Sequence, residues 1–302
     1  EVQETSGTRF DWWGAALSTG ILVSLMLALT TGNKAGWLSP PIIVASGATV
    51  MMLVTFIWWE LRTDAPMLDL RLFKGRTFTF GVSAAFLTFL GSSAVLFMMP
   101  FYMQNVLGYS AKTAGFVVVP GAICMAVLGT VSGVLSDRFG RRPFTVGGLA
   151  CSATGLMILS RVTEDSSLFM VVPALMLMNT GMGIFYSPNS SSVMSTVTQV
   201  KYGVVSGFLN LVRNAANVTS IAFATIIVTT TMASQGFEPS LEAVRGDVQG
   251  VSHAFTLGLR YAFLAMMGIV LAAMTFSALQ PDHVEAPELS EADDLAESKS
   301  EV

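Results

Sequence analysis

Residues Gly133–Pro143 read GVLSDRFGRRP, which sets Asp137 and three arginines between two long apolar runs. Ala111–Leu135 precedes this stretch and Phe144–Leu159 follows it. A short charged hairpin between two segments of membrane length must lie in water, and its arginines favour the cytoplasmic side, where basic loops accumulate. The stretch therefore predicts two membrane helices joined by a cytoplasmic hairpin.

The composition is typical of a chain that crosses a membrane several times. Hydrophobic residues make up 52% of the 302 positions and charged residues 12%, with a mean hydropathy of +0.63. Soluble domains carry about 25% charged residues. The net charge of −4 comes from residues 281–302, which hold eight acids and one lysine; the rest of the chain has 15 basic and 12 acidic residues. This balance does not suggest nucleic-acid binding, and we expect the acidic tail to be disordered.

Eight apolar segments approach the roughly 20 residues that a bilayer span requires. They are residues 12–31, 41–59, 78–102, 113–135, 144–160, 168–187, 204–230 and 257–279. Eight basic residues lie in the loops on the side of the charged hairpin, and four lie in the alternate loops. This asymmetry predicts that both termini are cytoplasmic. The chain starts at Glu1 without an initiator methionine or a signal peptide, and we expect it to be the later part of a longer protein.

Further motifs surround the hairpin in a definite order. A two-helix segment is followed by PMLDLRLF at Pro66–Phe73, by MPFYMQNVLGYS at Met99–Ser110, by Pro120-Gly121, and then by the pattern GxLxDRxGRR. This pattern resembles the signature loop of the major facilitator superfamily, in its C-terminal copy. The whole order is similar to the fourteen-span drug:proton antiporter branch, whose last eight spans would cover essentially the entire chain.

The resemblance implies an all-α polytopic membrane protein with eight transmembrane helices. A cytoplasmic segment at 1–11 would lead into a two-span insert at 12–59 and a cytoplasmic linker at 60–76. The transporter bundle at 77–280 would contain six helices in two inverted three-helix repeats, followed by the acidic tail at 281–302. The apolar residues of the linker are suited to the lipid headgroup boundary, with its basic residues toward anionic lipid. An ordinary connector accounts for the linker equally well.

The hairpin supplies the first set of candidate site residues. They are Gly133, Asp137, Arg138, Gly140, Arg141 and Arg142. Taken alone, they are explained by an acid near a helix end and by arginines that set membrane orientation. The resemblance implies a further role, in which Asp137 meets a helix N-terminus of an opposite half and the arginines pair with acids there, latching a cytoplasmic gate. The glycines would permit the turn and the close approach.

A polar stripe on the seventh span supplies most of the second set. Ser206, Asn210, Arg213, Asn214, Asn217 and Ser220 recur at spacings of three and four, within about 120° of the helix. Arg213 lies nine residues inside the predicted span, roughly 14 Å deep, so it is expected to face a cavity or a protein neighbour. The alternative is an arginine that reaches back to the interface. The predicted substrate path comprises Asn179, Tyr186, Asn189, Asn210, Arg213, Asn214 and Asn217.

Polar residues concentrate in the third, sixth and seventh spans, and we interpret the fifth and eighth as offering little beyond serine and threonine. In the resembled family, the helices equivalent to the polar spans line the central cavity and the other two are peripheral. Two pairs of small residues, Gly129/Gly133 and Gly203/Gly207, indicate positions where helices approach closely.

No Asp or Glu lies inside a predicted span, although proton coupling needs an intramembrane group that gains and loses a proton. The resemblance implies that this acid lies in an N-terminal six-helix half. The predicted function is therefore that of the C-terminal part of a secondary efflux transporter, performing multidrug:proton antiport by alternating access. It would need no cofactor beyond the proton gradient. Its expected partners are a small amphipathic substrate, the lipid bilayer and the N-terminal half, in a bacterial inner or plasma membrane.

Two other functions remain open. The chain could export one dedicated metabolite, such as an amino acid, a siderophore or a lipid, or it could be a non-transporting sensor or assembly subunit. An enzyme is not expected, because the sequence offers no nucleophile–base set. A metal site is not expected either: Cys124 and Cys151 fall in separate apolar spans, and His253 and His283 lie far apart in a loop and the tail.

Overall fold

The structure, a computed structural model, describes residues 11–35, 39–63, 70–241, 244 and 250–281. The predicted N-terminal segment and acidic tail lie almost entirely outside these ranges, as do residues 64–69 of the predicted linker. The division of the chain into insert, linker and bundle therefore stays a prediction.

Eight α-helices occupy the described ranges, and each overlaps one predicted span. They are α1 (Trp12–Ala35), α2 (Pro40–Glu60), α3 (Arg76–Asn105), α4 (Ala111–Phe139), α5 (Arg141–Leu159), α6 (Leu168–Met194), α7 (Tyr202–Ser234) and α8 (Val251–Leu279). Short 3-10 turns at Leu70–Lys74 and Gln199–Lys201 lead into α3 and α7. The predicted all-α fold with eight helices is confirmed.

Six helices in the described part of the chain are long and apolar enough to cross a membrane: α2, α3, α4, α6, α7 and α8. The apolar stretch found in α1 is shorter, Trp12–Ala28. The 19-residue α5 begins with Arg141 and Arg142 and is rich in small residues. Small residues lower the hydropathy of α5. They also allow it to pack closely against α6, where Gly148 lies against the backbone of Gly181.

The helix contacts divide the last six helices into two equivalent groups of three. The helix α6 packs along α4 and α5, and α3 packs in the same way along α7 and α8; α3 also meets α6, and α5 meets α8. Exchanging α3 with α6, α4 with α7 and α5 with α8 maps these contacts onto one another. Because each group holds an odd number of antiparallel helices, the second group starts from the opposite end. This is the arrangement of two inverted three-helix repeats.

Glycines bring α6 unusually close to its neighbours. A Cβ added at Gly183 would lie 2.5 Å from the backbone oxygen of Met125 on α4, and one added at Gly148 would lie 2.7 Å from the backbone oxygen of Gly181. Gly129 faces Gly183 directly, so the first predicted small-residue pair does mediate helix packing. The second pair, Gly203/Gly207 on α7, has no described heavy atom within 4 Å of its added Cβ positions.

One end of the bundle collects the start of α3, the end of α6 and the end of α8. The amide of Asn189 donates to the backbone oxygen of Gly81 at 3.1 Å, and that of Gln280 donates to the backbone oxygen of Thr77 at 3.1 Å. The α4–α5 hairpin lies at this end too, because Arg141 donates to the Ser195 hydroxyl at 2.9 Å. We call it the basic end, after the basic residues that lie there: Arg71, Lys74, Arg76, Arg138, Arg141, Arg142 and Lys201.

The first two helices form a hairpin of their own. Thr49 on α2 donates to the Ser24 hydroxyl on α1 at 2.8 Å, and the Trp59 indole donates to the carboxylate of Asp11 at 3.1 Å. The helix α1 also contacts α7. The hairpin of α1 and α2 therefore packs beside the bundle, on the side of α7.

Candidate transport site

Three helices of the bundle bring a cation and two aromatic rings together. The guanidinium carbon of Arg213 on α7 lies 5.9 Å from the ring centre of Phe89 on α3 and 5.9 Å from that of Tyr186 on α6. The two rings meet edge to face, with centres 5.7 Å apart. Arg213 also donates to Asn210, one helical turn earlier, and to the Tyr186 hydroxyl at 3.5 Å. We call Phe89, Tyr186, Asn210 and Arg213 the arginine cluster.

The charge of Arg213 is not neutralised by any carboxylate that the structure describes. The carboxylate of Glu164, which contacts the His253 ring at 2.9 Å, lies at the other end of the bundle. Arg213 stands eleven residues into α7, about 16 Å from its start, which is near mid-membrane. Ring faces favour a cation by about 1–2 kcal/mol, but they leave its charge in place. The cluster therefore presents a fixed positive charge to whatever lies against α7.

A groove of about 480 Å³ lies beside the cluster, between α4 and α6. Tyr186 and Asn179 line it from α6, Leu96 lines it from α3, and small residues of α4 such as Ala122 and Gly129 form its other wall. Its volume falls within the range of small-molecule pockets. Tyr186 thus contacts Arg213 and also borders a space of ligand size.

The predicted polar stripe of α7 separates into two parts in the structure. Asn217 accepts a hydrogen bond from Ser93, and Ser220 accepts one from the backbone N–H of Ala94 at 2.9 Å, so both residues bind α7 to α3. Asn210 and Asn214 are exposed, in line with Gly203 and Gly207. Arg213 lies between the packed part and the exposed part.

Two of the predicted asparagines have well-defined positions outside the cluster. Asn189 is buried at the basic end, where its amide binds Gly81 of α3. Asn179 donates to the backbone oxygen of Leu175 at 2.9 Å and faces Gly121 of α4 in the groove. The structure therefore brings Tyr186, Asn210 and Arg213 together. Asn179 lies in the neighbouring groove, which Tyr186 also lines, and Asn189 lies at the basic end.

The hairpin between α4 and α5 consists of a single residue outside the helices, Gly140. Its φ of 89° and ψ of 150° lie in a region that only glycine occupies without strain. Arg141 is bound to Ser195, the residue directly after α6, whereas Asp137, Arg138 and Arg142 are exposed. The hairpin is thus fixed to the bundle by one arginine and presents the other charged groups outward.

Sequence reasoning misses two residues that bear on the site. Phe89 gives no signal, because one phenylalanine among many in an apolar span does not show which ring will face a cation. Arg260 is visible as a charge inside the predicted eighth span, so the interpretation that this span offers little beyond serine and threonine is wrong at this position. The structure shows Arg260 exposed on α8.

Comparison with known proteins identifies the family. The family model of the Major Facilitator Superfamily matches residues 3–221, which is most of the chain. The chain belongs to the major facilitator superfamily. Members of this superfamily are transporters and not enzymes, and the exposed apolar helices are those of an integral membrane protein. The assignment made from the signature loop is confirmed, and the relatives described next support the drug:proton antiporter branch.

Two bacterial relatives carry names of drug resistance. The lincomycin resistance protein LmrB of Listeria monocytogenes is 23% identical over 271 residues, which cover 88% of this chain and 57% of that protein. The multidrug resistance protein Stp of Mycobacterium tuberculosis is 29% identical over 243 residues, covering 80% of this chain and 45% of that protein. The chain thus spans about half the length of the curated relatives it matches.

A solved structure confirms the fold independently. The crystal structure of a bacterial homologue of the human lysosomal transporter Spinster, inward-facing and occupied, superposes with a TM-score of 0.57 at 20% identity. The match covers 88% of this chain and 66% of that one.

Proposed function

We propose that this chain is the C-terminal part of a secondary efflux transporter that exchanges small amphipathic molecules for protons by alternating access. The drug-resistance names of LmrB and Stp support the substrate class. The membrane would be a bacterial plasma membrane, with both termini and the basic end in the cytoplasm, in accordance with the distribution of basic residues.

The arginine cluster is the observation that carries this proposal. It joins α3, α6 and α7 near mid-membrane, at the depth where transporters bind substrates and coupling ions. Its charge has no carboxylate partner in the described part of the chain, and a lone charge at that depth is costly. An anionic group of the substrate, or a carboxylate on a second half of the transporter, would reduce this cost.

A second six-helix half is the partner that the exposed face of α7 fits. Gly203, Gly207, Asn210 and Asn214 form a small and polar strip, which is unsuited to lipid but suited to a closely packed helix. That half would carry the membrane-embedded acid that proton coupling needs, and rocking between the halves would open the site to each side in turn. This mechanism requires no cofactor beyond the proton gradient.

The test compares arginine variants in the complete transporter that contains this chain. Arg213→Ala is expected to abolish proton-dependent efflux of lincomycin and of a cationic dye in inverted vesicles. Arg213→Lys should retain part of the activity, because an ammonium keeps the charge but not the planar contact with the rings and Asn210. Arg260→Ala is the matched control, since it removes an exposed arginine of another helix, and it should transport normally.

Equal loss of efflux in the Arg213 and Arg260 variants, with both proteins folded, would refute a specific role for the cluster. The purified 302-residue chain should show no vectorial transport in liposomes. Proton-dependent export by this chain as a monomer would contradict the need for a second half, whereas export only by a homodimer would identify the second copy as that half. Efflux of one compound out of a broad panel would favour a dedicated exporter.

A further inference from the structure

A second groove, of about 390 Å³, lies between α3 and α7 close to the basic end. Its walls are almost entirely apolar and include Phe86 and Leu87 of α3, Phe208 and Val212 of α7, Phe276 of α8 and Phe73 of the 3-10 turn. No member of the arginine cluster lines it. Because the groove is open along one side of a membrane bundle, its apolar walls need an apolar occupant.

The 3-10 turn Leu70–Lys74 fixes the end of the groove. The ring of Phe73 meets Phe78 edge to face at 5.1 Å and Phe208 in the same way at 5.9 Å. The backbone oxygen of Phe73 accepts a hydrogen bond from Thr79 at 2.6 Å, which attaches the turn to the first turn of α3. The linker therefore supplies one wall of the groove in a defined position.

The mouth of the groove is basic. Lys74 and Arg76 are exposed on either side of Gly75, directly after Phe73 of the groove wall. The guanidinium carbon of Arg76 lies 5.7 Å from the ring centre of Phe80, which in turn lies 6.0 Å from the ring centre of Phe276 in the groove wall. Positive charge and apolar groove thus form one continuous surface.

We propose that this surface binds an anionic phospholipid, with one acyl chain in the groove and the phosphate at Lys74 and Arg76. The dimensions agree: Phe86 lies ten residues beyond Arg76 on α3, about 15 Å, which is half the roughly 30 Å hydrocarbon core of a bilayer. A chain from one leaflet therefore reaches the end of the groove when its headgroup lies at the mouth. The charge of the mouth selects an anionic headgroup over a zwitterionic one.

Native mass spectrometry of the full chain in detergent tests the headgroup preference. Phosphatidylglycerol should bind more tightly than phosphatidylcholine of the same acyl chains. Lys74→Gln/Arg76→Gln should weaken phosphatidylglycerol binding on the order of 30-fold, since each basic residue at an anionic surface is worth roughly fivefold. Lys112→Gln/Arg161→Gln removes the same charge at the opposite end and should leave binding unchanged.

Tryptophan quenching tests the position of the chain within the groove. Phe86→Trp places a reporter on the groove wall, and its fluorescence above the wild-type background should be quenched by phosphatidylglycerol with brominated acyl chains. Comparable binding of both lipids, or equal losses in the two charge variants, would overturn the site in favour of unspecific lipid contact. Phosphatidylglycerol that binds without quenching this reporter would show that the lipid lies elsewhere. Displacement of the lipid by lincomycin or a cationic dye would reassign the groove to substrate.

Discussion

At the scale of single residues, the bundle depends on glycines that lack a side chain where two backbones meet. Gly148 of α5 faces the backbone of α6, and a Cβ at this position would lie 2.7 Å from the oxygen of Gly181 and 2.8 Å from the nitrogen of Phe185. Its neighbour Gly147 has no described heavy atom within 4 Å of the same position. Two adjacent glycines on one helix therefore have opposite structural roles.

Gly148→Ala and Gly147→Ala form a matched pair for testing this contact. Gly148→Ala should destabilise the protein by about 1–3 kcal/mol, because the added methyl forces α5 and α6 apart. Gly147→Ala should be neutral or stabilising by up to about 1 kcal/mol, because alanine favours the helix and meets no neighbour. Thermal unfolding in detergent measures both. A lower midpoint for Gly147→Ala than for Gly148→Ala would contradict the close α5–α6 contact.

Some residues of the site could be predicted from the sequence, and others could not. Arg213 and Asn210 are predicted together because polar residues at helical spacing in an apolar span indicate a face turned away from lipid. Phe89 is not predicted, since its role depends on which helices meet and not on any local pattern. The same limit applies to Gly148, whose contact with α6 is a tertiary property.

At the scale of elements, the hairpin between α4 and α5 is attached to the bundle by one side chain and exposes another to solvent. Gly140 makes the turn and Arg141 binds Ser195 at the end of α6, while Asp137 is exposed at the end of α4. An exposed acid at this position is available to the N-terminus of a helix in a second half, where it would be stabilised by the helix dipole. The role of the hairpin as a latch between halves stays a prediction.

Asp137→Asn tests the latch in the complete transporter. It should reduce the rate of efflux while leaving expression and substrate binding close to normal, because Asp137 is remote from the arginine cluster. Asp165→Asn, an exposed acid in the loop at the other end of α5, serves as the control and should transport normally. Rates measured in inverted vesicles decide between them. An unchanged rate in Asp137→Asn would reduce the hairpin to a determinant of membrane orientation.

Helix ends illustrate how far elements could be predicted. The sequence predicts that the sixth span ends at residue 187, but α6 continues to Met194. The added turns contain Ser192 and also Asn189, which is predicted to lie on the substrate path. Both are buried at the basic end, where Asn189 binds Gly81 and Ser192 accepts from Gln280, so their polar groups serve helix packing. Hydropathy marks the membrane core of a helix and not its full length.

At the scale of the whole molecule, the described loops distribute charge unequally between the two ends. The basic end gathers the hairpin arginines with Lys74 and Arg76, and the opposite end carries the Glu164–His253 pair. The number and order of the helices follow from the sequence, because apolar length and loop charge are local properties. The packing of the insert against α7 does not, since no local pattern specifies it.

Cysteine labelling tests the orientation. In a background with Cys124 and Cys151 changed to serine, single cysteines at Gly140 and Ser166 stand at opposite ends of α5. An impermeant maleimide should label Ser166→Cys in intact cells, and Gly140→Cys only after the membrane is opened. Labelling of Gly140→Cys from outside would reverse the topology.

The uneven attachment of α7 has a mechanical consequence. The half toward Ser234 is held close to α8, where a Cβ at Gly258 would lie 2.9 Å from the Cα of Val228, and the middle of α7 is bound to α3 by Asn217 and Ser220. The half at the basic end has open space at Gly203 and Gly207, and it is held by side-chain contacts such as that of Phe208 with Phe73. Arg213 therefore lies one turn from Asn217, in the half of α7 that close backbone contact does not fix. We expect a tilt of this half to separate the Arg213 guanidinium from Tyr186 and Phe89, so that movement at the basic end would displace a positive charge beside the groove that Tyr186 lines.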